Sequence, residues 1–164
     1  VHFFGPDPEV QPQKERYDGY CRAMMDAGFE ASIKENGYFF DCRDSDPAYW
    51  PIARKWELPY NAALEMLKEI KTPCSIVCLN DYAAKGVYEA ADKLGLNIGG
   101  DIKVIGFDDL PMARCLSPTL SSVLQPRKHI GLEAARILHK QLDGKISNKM
   151  NISLPVQLIE RESS

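Results

Sequence analysis

The residues best placed to do chemistry lie in one stretch, 80–109, which reads NDYAAKGVYEAADKLGLNIGGDIKVIGFDD. It ends in two carboxylates, Asp108 and Asp109. An ionised carboxylate is an acceptor with two oxygens, able to take two hydroxyl or amide donors at once. Neighbouring residues on a strand point to opposite faces, so this pair cannot flank one bond as the carboxyl groups of a glycosidase do. His2, His129 and His139 fall in a strand, a helix start and a helix end, none beside a Ser or Cys in a nucleophile turn. There is no GxGxxG and no phosphate loop. The chemistry in view is recognition, with no catalytic residue and no cofactor expected. Cys21, Cys42, Cys74, Cys78 and Cys115 are odd in number, form no CxxC and lack metal-ligand spacing. They read as reduced cysteines packing as small apolar residues.

Elements must hold these groups in place. Val1–Gly5 is an apolar run closed by Gly-Pro, a buried strand with a turn after it. It starts on the first residue, which leads to the expectation of an excised piece of a longer chain. Tyr17, Cys21, Met24 and Met25 recur at helical spacing up to Gly28. Tyr38–Cys42 is a second strand, and residues 43–56 have neither helical nor strand period. Tyr60, Leu64, Leu67 and Ile70 mark a helix that stops before Pro73, and Ser75–Leu79 is an unbroken apolar strand. Asp81 is the expected N-cap of the next helix, with the stripe Ala84, Val87, Ala91 and Leu94 and a left-handed glycine, Gly95, at its end. Ile102–Gly106 is a fourth strand, and Asp109 is expected to cap a short helix at Pro111–Leu116. Leu120–Leu124 is β-prone. Pro126 opens a helix with the stripe Ile130, Ala134, Ile137, Leu138 and Leu142, and Ile152–Glu160 is a last strand. The alternation predicts an α/β fold: an open, mostly parallel sheet with helices on both faces. Ligands of such sheets bind outside the carboxyl ends of the strands, where Asp108 lies.

The chain has 164 residues, enough for one ordinary domain with a real core. Its net charge of −3 and its lack of a dense Lys/Arg cluster make it a poor nucleic-acid binder by itself. No apolar run is long enough to cross a bilayer, so no membrane partner is expected.

From Pro73 onward the chain resembles the C-terminal part of the LacI/GalR family of bacterial transcription regulators. The matching pieces, in order and spacing, are CLNDYAAKGVYEAADKLGL, DIKVIGFDDLPMARCLSPTLSSVLQP, IGLEAARIL and LPVQLIERES. Arg16-Tyr17-Asp18-Gly19-Tyr20 resembles the family's Arg-x-x-Gly-Phe helix. The resemblance implies a periplasmic binding protein-like fold of two lobes around an effector cleft. Residues 1–119 would form the C-terminal lobe. Residues 120–145 would be a crossover strand and helix belonging to an N-terminal lobe outside this chain, and 146–164 would return.

The resemblance also implies roles for particular residues. Asp108 matches the family's effector-binding carboxylate; the alternative is a cap on the turn that follows. Asn80 matches an effector-contacting amide, or is a turn residue. Gln125 faces the cleft, or makes a structural hydrogen bond at the crossover. Trp50 and Trp56 could stack on a sugar ring, or pin their loop to the core. Tyr88, Cys115 and Leu116 are candidates for a homodimer surface, or ordinary core. Val10-Gln11-Pro12 stand where many members carry a clamping arginine, and Arg16 is expected only to orient the first turn. The implied function is sensing of a small-molecule effector, a sugar or sugar derivative, in a cytoplasmic, dimeric regulator that reaches operator DNA through a headpiece absent from this chain. The alternative is a periplasmic sugar-binding protein of a transport system.

Overall fold

The computed structural model describes residues 1–6, 13–40, 57–145 and 150–164. Adjacent side chains of the first strand, β1 (His2–Pro6), feed two different cores: Phe3 packs under Tyr20, Met24 and Ile33, and Phe4 under Ala63, Val87 and Ala91. Each ring is almost wholly buried, worth about 1.5–3 kcal/mol. Both faces of the strand are covered, which is why it reads as an unbroken apolar run.

The other elements follow in order: α1 (Gln13–Asp26), β2 (Gly37–Phe40), α2 (Glu57–Glu69), β3 (Cys74–Cys78), α3 (Asp81–Leu94), β4 (Ile102–Asp108), β5 (Ser121–Leu124), α4 (Arg127–Leu142) and β6 (Gln157–Ile159). The sheet order is β2-β1-β3-β4-β5-β6, with β6 alone antiparallel to its neighbour. This is the α/β, mostly parallel sheet that the sequence predicts. The chain reverses direction across the sheet between β1 and β3, a topological switch point that opens a crevice at their carboxyl ends.

α2 and α3 cover one face and α1 the other. α3 is rich in Ala and Gly on its inner side, so α2 approaches closely: a Cβ on Gly86 would lie 2.6 Å from the backbone and side chain of Pro59. Gly95, at φ 71°, closes α3 and donates its N–H to the Ala91 and Asp92 carbonyls. α4 differs from the other three helices. None of its residues is buried, and Ile130, Leu132, Leu138 and Leu142 are exposed.

Several local expectations change. The α1 stripe buries Tyr20 and Met24, while Met25 is 48% exposed. The last strand is only Gln157–Ile159: residues 152–156 lie outside it, and beyond it the tail stays beside β5 through side chains, Arg161 donating its N–H to Ser121 Oγ. There Ser163 donates its hydroxyl to the Val104 carbonyl and accepts the Ser121 N–H, sewing β4 to β5 from below. Residues 121–124, assigned from the sequence to a crossover segment, are parallel neighbours of β4, Ile105 pairing with Ser121 and Asp108 with Leu124. The chain therefore leaves this sheet only after Leu124.

Two helical glycines should respond oppositely to alanine. Helix propensity favours the change by about 1 kcal/mol at either site. Gly19 has no atom within 4 Å of an added Cβ, whereas Gly86 has none of that room. Gly19→Ala is expected to raise the urea midpoint by the equivalent of about 0.5–1 kcal/mol. Gly86→Ala should lower it by about 1–3 kcal/mol. A stabilised Gly86→Ala would refute the close α2–α3 approach.

Candidate functional site

Polar groups from three elements meet at the carboxyl edge of the sheet. Arg16, in the first turns of α1, donates Nη1 to the Leu79 carbonyl at 2.8 Å and Nη2 to Asp108 Oδ1 at 3.5 Å. Its guanidinium lies 4.0 Å from the centroid of the Phe107 ring, a cation–π contact. Gln125, just past β5, donates Nε2 to the same Asp108 oxygen. Burial pulls the Arg16 pKa down while the Asp108 and Asp81 carboxylates pull it up, and a guanidinium stays charged under any such balance. The cluster thus offers a planar cation, a carboxylate and an amide on one rim, beside an aromatic face. Chemically, such a set is suited to a ligand dense in hydroxyls, whose bonds would replace its internal hydrogen bonds. Arg16, Phe107 and Gln125 also line an apolar groove of about 1110 Å³, which runs between α1 and α4 over Phe3, Val77, Ile105 and Val123.

Asp108 is held in an unusual backbone state. Its φ is 107° and that of Asp109 is 45°, two successive non-glycine residues in a region that L side chains seldom occupy. Behind them lies a buried carboxylate, Asp81, wholly inaccessible to solvent. Its Oδ2 accepts the Leu110 N–H and its Oδ1 the Ser122 hydroxyl, each at 2.6 Å, and Ser122 Oγ in turn accepts the Asp109 N–H at 3.1 Å. Asp81 lies against β4 at Gly106, where a Cβ would overlap its Oδ1. Asp109 points away from Asp108 and is buried as well; Arg161 bonds it at 2.6 Å and also holds the Leu120 carbonyl.

The predicted site residues separate accordingly. Asp108 and Gln125 come together. Asn80 lies at the end of β3 and is the N-cap of α3, its Oδ1 accepting the Ala83 N–H at 2.8 Å. Asp81 is therefore not the cap: it sits one residue further on, turned inward. Asp109 does not cap the turn at Pro111 either; Leu110 holds that position with no side-chain cap, because the Asp109 carboxylate is spent on Arg161. Trp50 and Trp56 lie outside the described residues. Tyr88 is buried in the core, its hydroxyl donating to the Pro118 carbonyl and its pKa pushed up to about 12 by burial. Leu116 packs partly buried on the same core, and Cys115 is exposed. Sequence reasoning missed Arg16 as a site residue. The available signal was its place three residues before Gly19 in the helix that follows β1, which aims a long side chain at the strand ends. Among the described residues no cluster of three His, Cys, Asp or Glu could hold a metal ion.

Comparison with known proteins gives one consistent answer. A family model described as "periplasmic binding protein-like domain" matches residues 1–164. The chain is 38% identical over 108 residues to the "Lactose operon repressor" of Rhizobium radiobacter, covering 66% of this chain and 95% of that relative. It is 30% identical over 148 residues to the "HTH-type transcriptional repressor PurR" of Proteus mirabilis, covering 90% of this chain and 40% of that protein's length. A solved regulatory protein of the LacI family from Chloroflexus aggregans superposes with a TM-score of 0.82 at 29% identity, over 99% of this chain and 54% of that one.

The buried Asp81 makes stability depend on pH. Burial pushes its pKa up to about 6, against the pull of the Ser122 and Leu110 hydrogen bonds, and the charges of Asp108 and Asp109 add to the rise. The folded chain therefore keeps this proton where an unfolded aspartate, near 3.8, has released it. The stability contributed is full below about 3.8 and is lost as pH rises through about 6. Asp81→Asn removes the titration. Relative to that variant, the wild-type chain should lose about 2–3 kcal/mol between pH 4 and pH 7, read from paired urea titrations. Parallel curves for the two proteins would refute the assignment.

Proposed function

The chain belongs to the periplasmic binding protein-like domain family, among the LacI-type regulators, and on that premise we propose that it is one wall of a sugar-sensing cleft in a DNA-binding transcription regulator. The observation that carries the reading is the cluster of Arg16, Asp108 and Gln125 at the carboxyl edge of the sheet. Asp108 and Gln125 supply acceptor and donor groups matched to neighbouring hydroxyls, and Arg16 adds a fixed cation beside an aromatic face. Asn80 can add its amide nitrogen as a donor, while its oxygen already accepts the Ala83 N–H at the start of α3. The Rhizobium relative, a lactose operon repressor, supports a sugar over other effectors.

The chain spans 40% of the length of the Proteus relative, so the second wall and the DNA-binding headpiece belong to parts of the protein beyond it. α4, with its exposed aliphatic residues, then packs on the second lobe, and residues 125–145 carry the chain there. Effector binding works as a signal only if one arrangement of the lobes binds it better than the other. A homodimer is part of this reading, with exposed Cys115 and neighbouring Leu116 near its surface. The cytoplasm is its compartment in this reading, because a transcription regulator works on DNA. Among the described residues no helix is long and apolar enough to cross a membrane. The names of the relatives favour a regulator over a transport protein. The reading contains no catalytic step, since Asp108 and Asp109 face different surroundings and do not act as a pair.

Calorimetry on the protein carrying both lobes, against pentoses, hexoses, lactose and free purine bases, tests this reading. One sugar is expected to bind, and Asp108→Asn and Arg16→Ala should each weaken it at least tenfold, about 1.4 kcal/mol or more. Tight purine binding with no sugar response would overturn the sugar assignment.

A further inference from the structure

The geometry points to Asp81 as a positioning residue for Asp108: a buried carboxylate that fixes the Asp108–Leu110 turn and so aims the effector-binding side chain, a role that rests on the reading of Asp108 above. Asp108 does not touch Asp81. What Asp81 grips is the backbone on the far side of Asp108, in two ways. Its Oδ2 takes the Leu110 N–H directly at 2.6 Å. Its Oδ1 takes the Ser122 hydroxyl at 2.6 Å, which commits the Ser122 proton and leaves that oxygen to accept the Asp109 N–H at 3.1 Å. Two consecutive amides after Asp108 are thereby tied to one carboxylate, across the two residues with φ of 107° and 45°.

Such a turn needs outside support, because the backbone of a free chain would leave this region for the β or α basins. Gly106 shows how closely the support is fitted: β4 drops its side chain where Asp81 presses against it. Asp81 itself is anchored by α3, whose N-cap, Asn80, is the preceding residue. The chain thus links α3, β5 and the end of β4 through one side chain. Changing that side chain should alter the aim of Asp108 without removing any group that touches a ligand.

Asparagine and alanine separate positioning from charge. Asparagine can still accept the Leu110 N–H and can donate its amide N–H to Ser122 Oγ; alanine can do neither. Amide hydrogen exchange on this chain should show at least tenfold faster exchange at Asp109 and Leu110 in Asp81→Ala, and near-native protection in Asp81→Asn. Ser122→Ala, a milder change should Asp81→Ala fail to fold, should release Asp109 while leaving Leu110 protected. Ile102→Val, a core truncation at the other end of β4, controls for general loss of stability and should not single out these two amides. In the two-lobe protein, the sugar found to bind from a panel of D-ribose, D-galactose and lactose should bind at least tenfold more weakly to Asp81→Ala, and within threefold of wild type to Asp81→Asn. Unchanged protection of both amides in Asp81→Ala, or equal loss in Ile102→Val, overturns the positioning role. Unchanged sugar affinity in Asp81→Ala overturns it too. If no sugar binds wild type, the effector reading of Asp108 fails while the exchange data still decide whether Asp81 holds the turn.

Discussion

One buried carboxylate organises the carboxyl edge of this sheet. Asp81 is taken out of water completely, and leaving even one of its oxygens without a donor there would be costly. Its two donors are a backbone N–H from the turn after β4 and a hydroxyl from β5, so satisfying Asp81 joins the start of α3 to the ends of two strands. The tail closes the other side: Arg161 neutralises buried Asp109, and Ser163 spans β4 and β5. Removing one partner of such a buried ion pair costs far more than the pair itself contributes. The strand ends are therefore held from behind by charge and hydrogen bonds, while the apolar core holds the middle of the sheet.

Much of this fold was legible in the chain because it depends on local rules. Phe3 and Phe4, or Ile76 and Val77, show apolar neighbours with no polar alternation, and two-sided burial is the only arrangement that uses both. The end of α3 at Gly95 follows from C-cap geometry, and the body of the helix from its stripe of Ala84, Val87, Ala91 and Leu94. The failures share a different cause. Asp81 and Asp109 have the side chains of caps and stand where caps stand, so local reasoning spends them on the nearest free N–H groups. Their actual partners, Ser122, Leu110 and Arg161, come from segments 29 to 52 residues away. Arg16 was under-read for the same reason: its meaning depends on Asp108, 92 residues further along. Long-range polar pairing leaves no period in a sequence.

The placement of β5 shows a related limit. The run SSVL carries too little pattern to say which sheet it joins, and resemblance placed the departure from the lobe near residue 120. Ser121 and Ser122 settle it physically. Both are fully buried, and each hydroxyl serves a group in or beside this sheet, so neither could face a different lobe without leaving partners unsatisfied. The polar residues, rather than the apolar ones, mark where the chain still belongs to this layer.

The rim cluster has the character of half a site. Arg16, Asp108 and Gln125 already bond to one another, so a ligand gains only the difference between its own hydrogen bonds and those it displaces. At 3.5 Å the Arg16–Asp108 contact is long, and it would be the easiest of the set to exchange for a ligand; the 2.8 Å bond to the Leu79 carbonyl would keep the guanidinium in place meanwhile. Affinity then depends on excluding water, because hydrogen bonds that compete with bulk solvent contribute little. A small ligand in a working pocket loses most of its surface to protein. An open rim with an apolar groove beside it, and a helix whose aliphatic side chains are exposed, supply recognition without enclosure. In the proposed reading, enclosure comes from a second surface closing over the first, and that requirement would turn binding into movement: the groups that select the ligand would hold it tightly only when the other wall arrives.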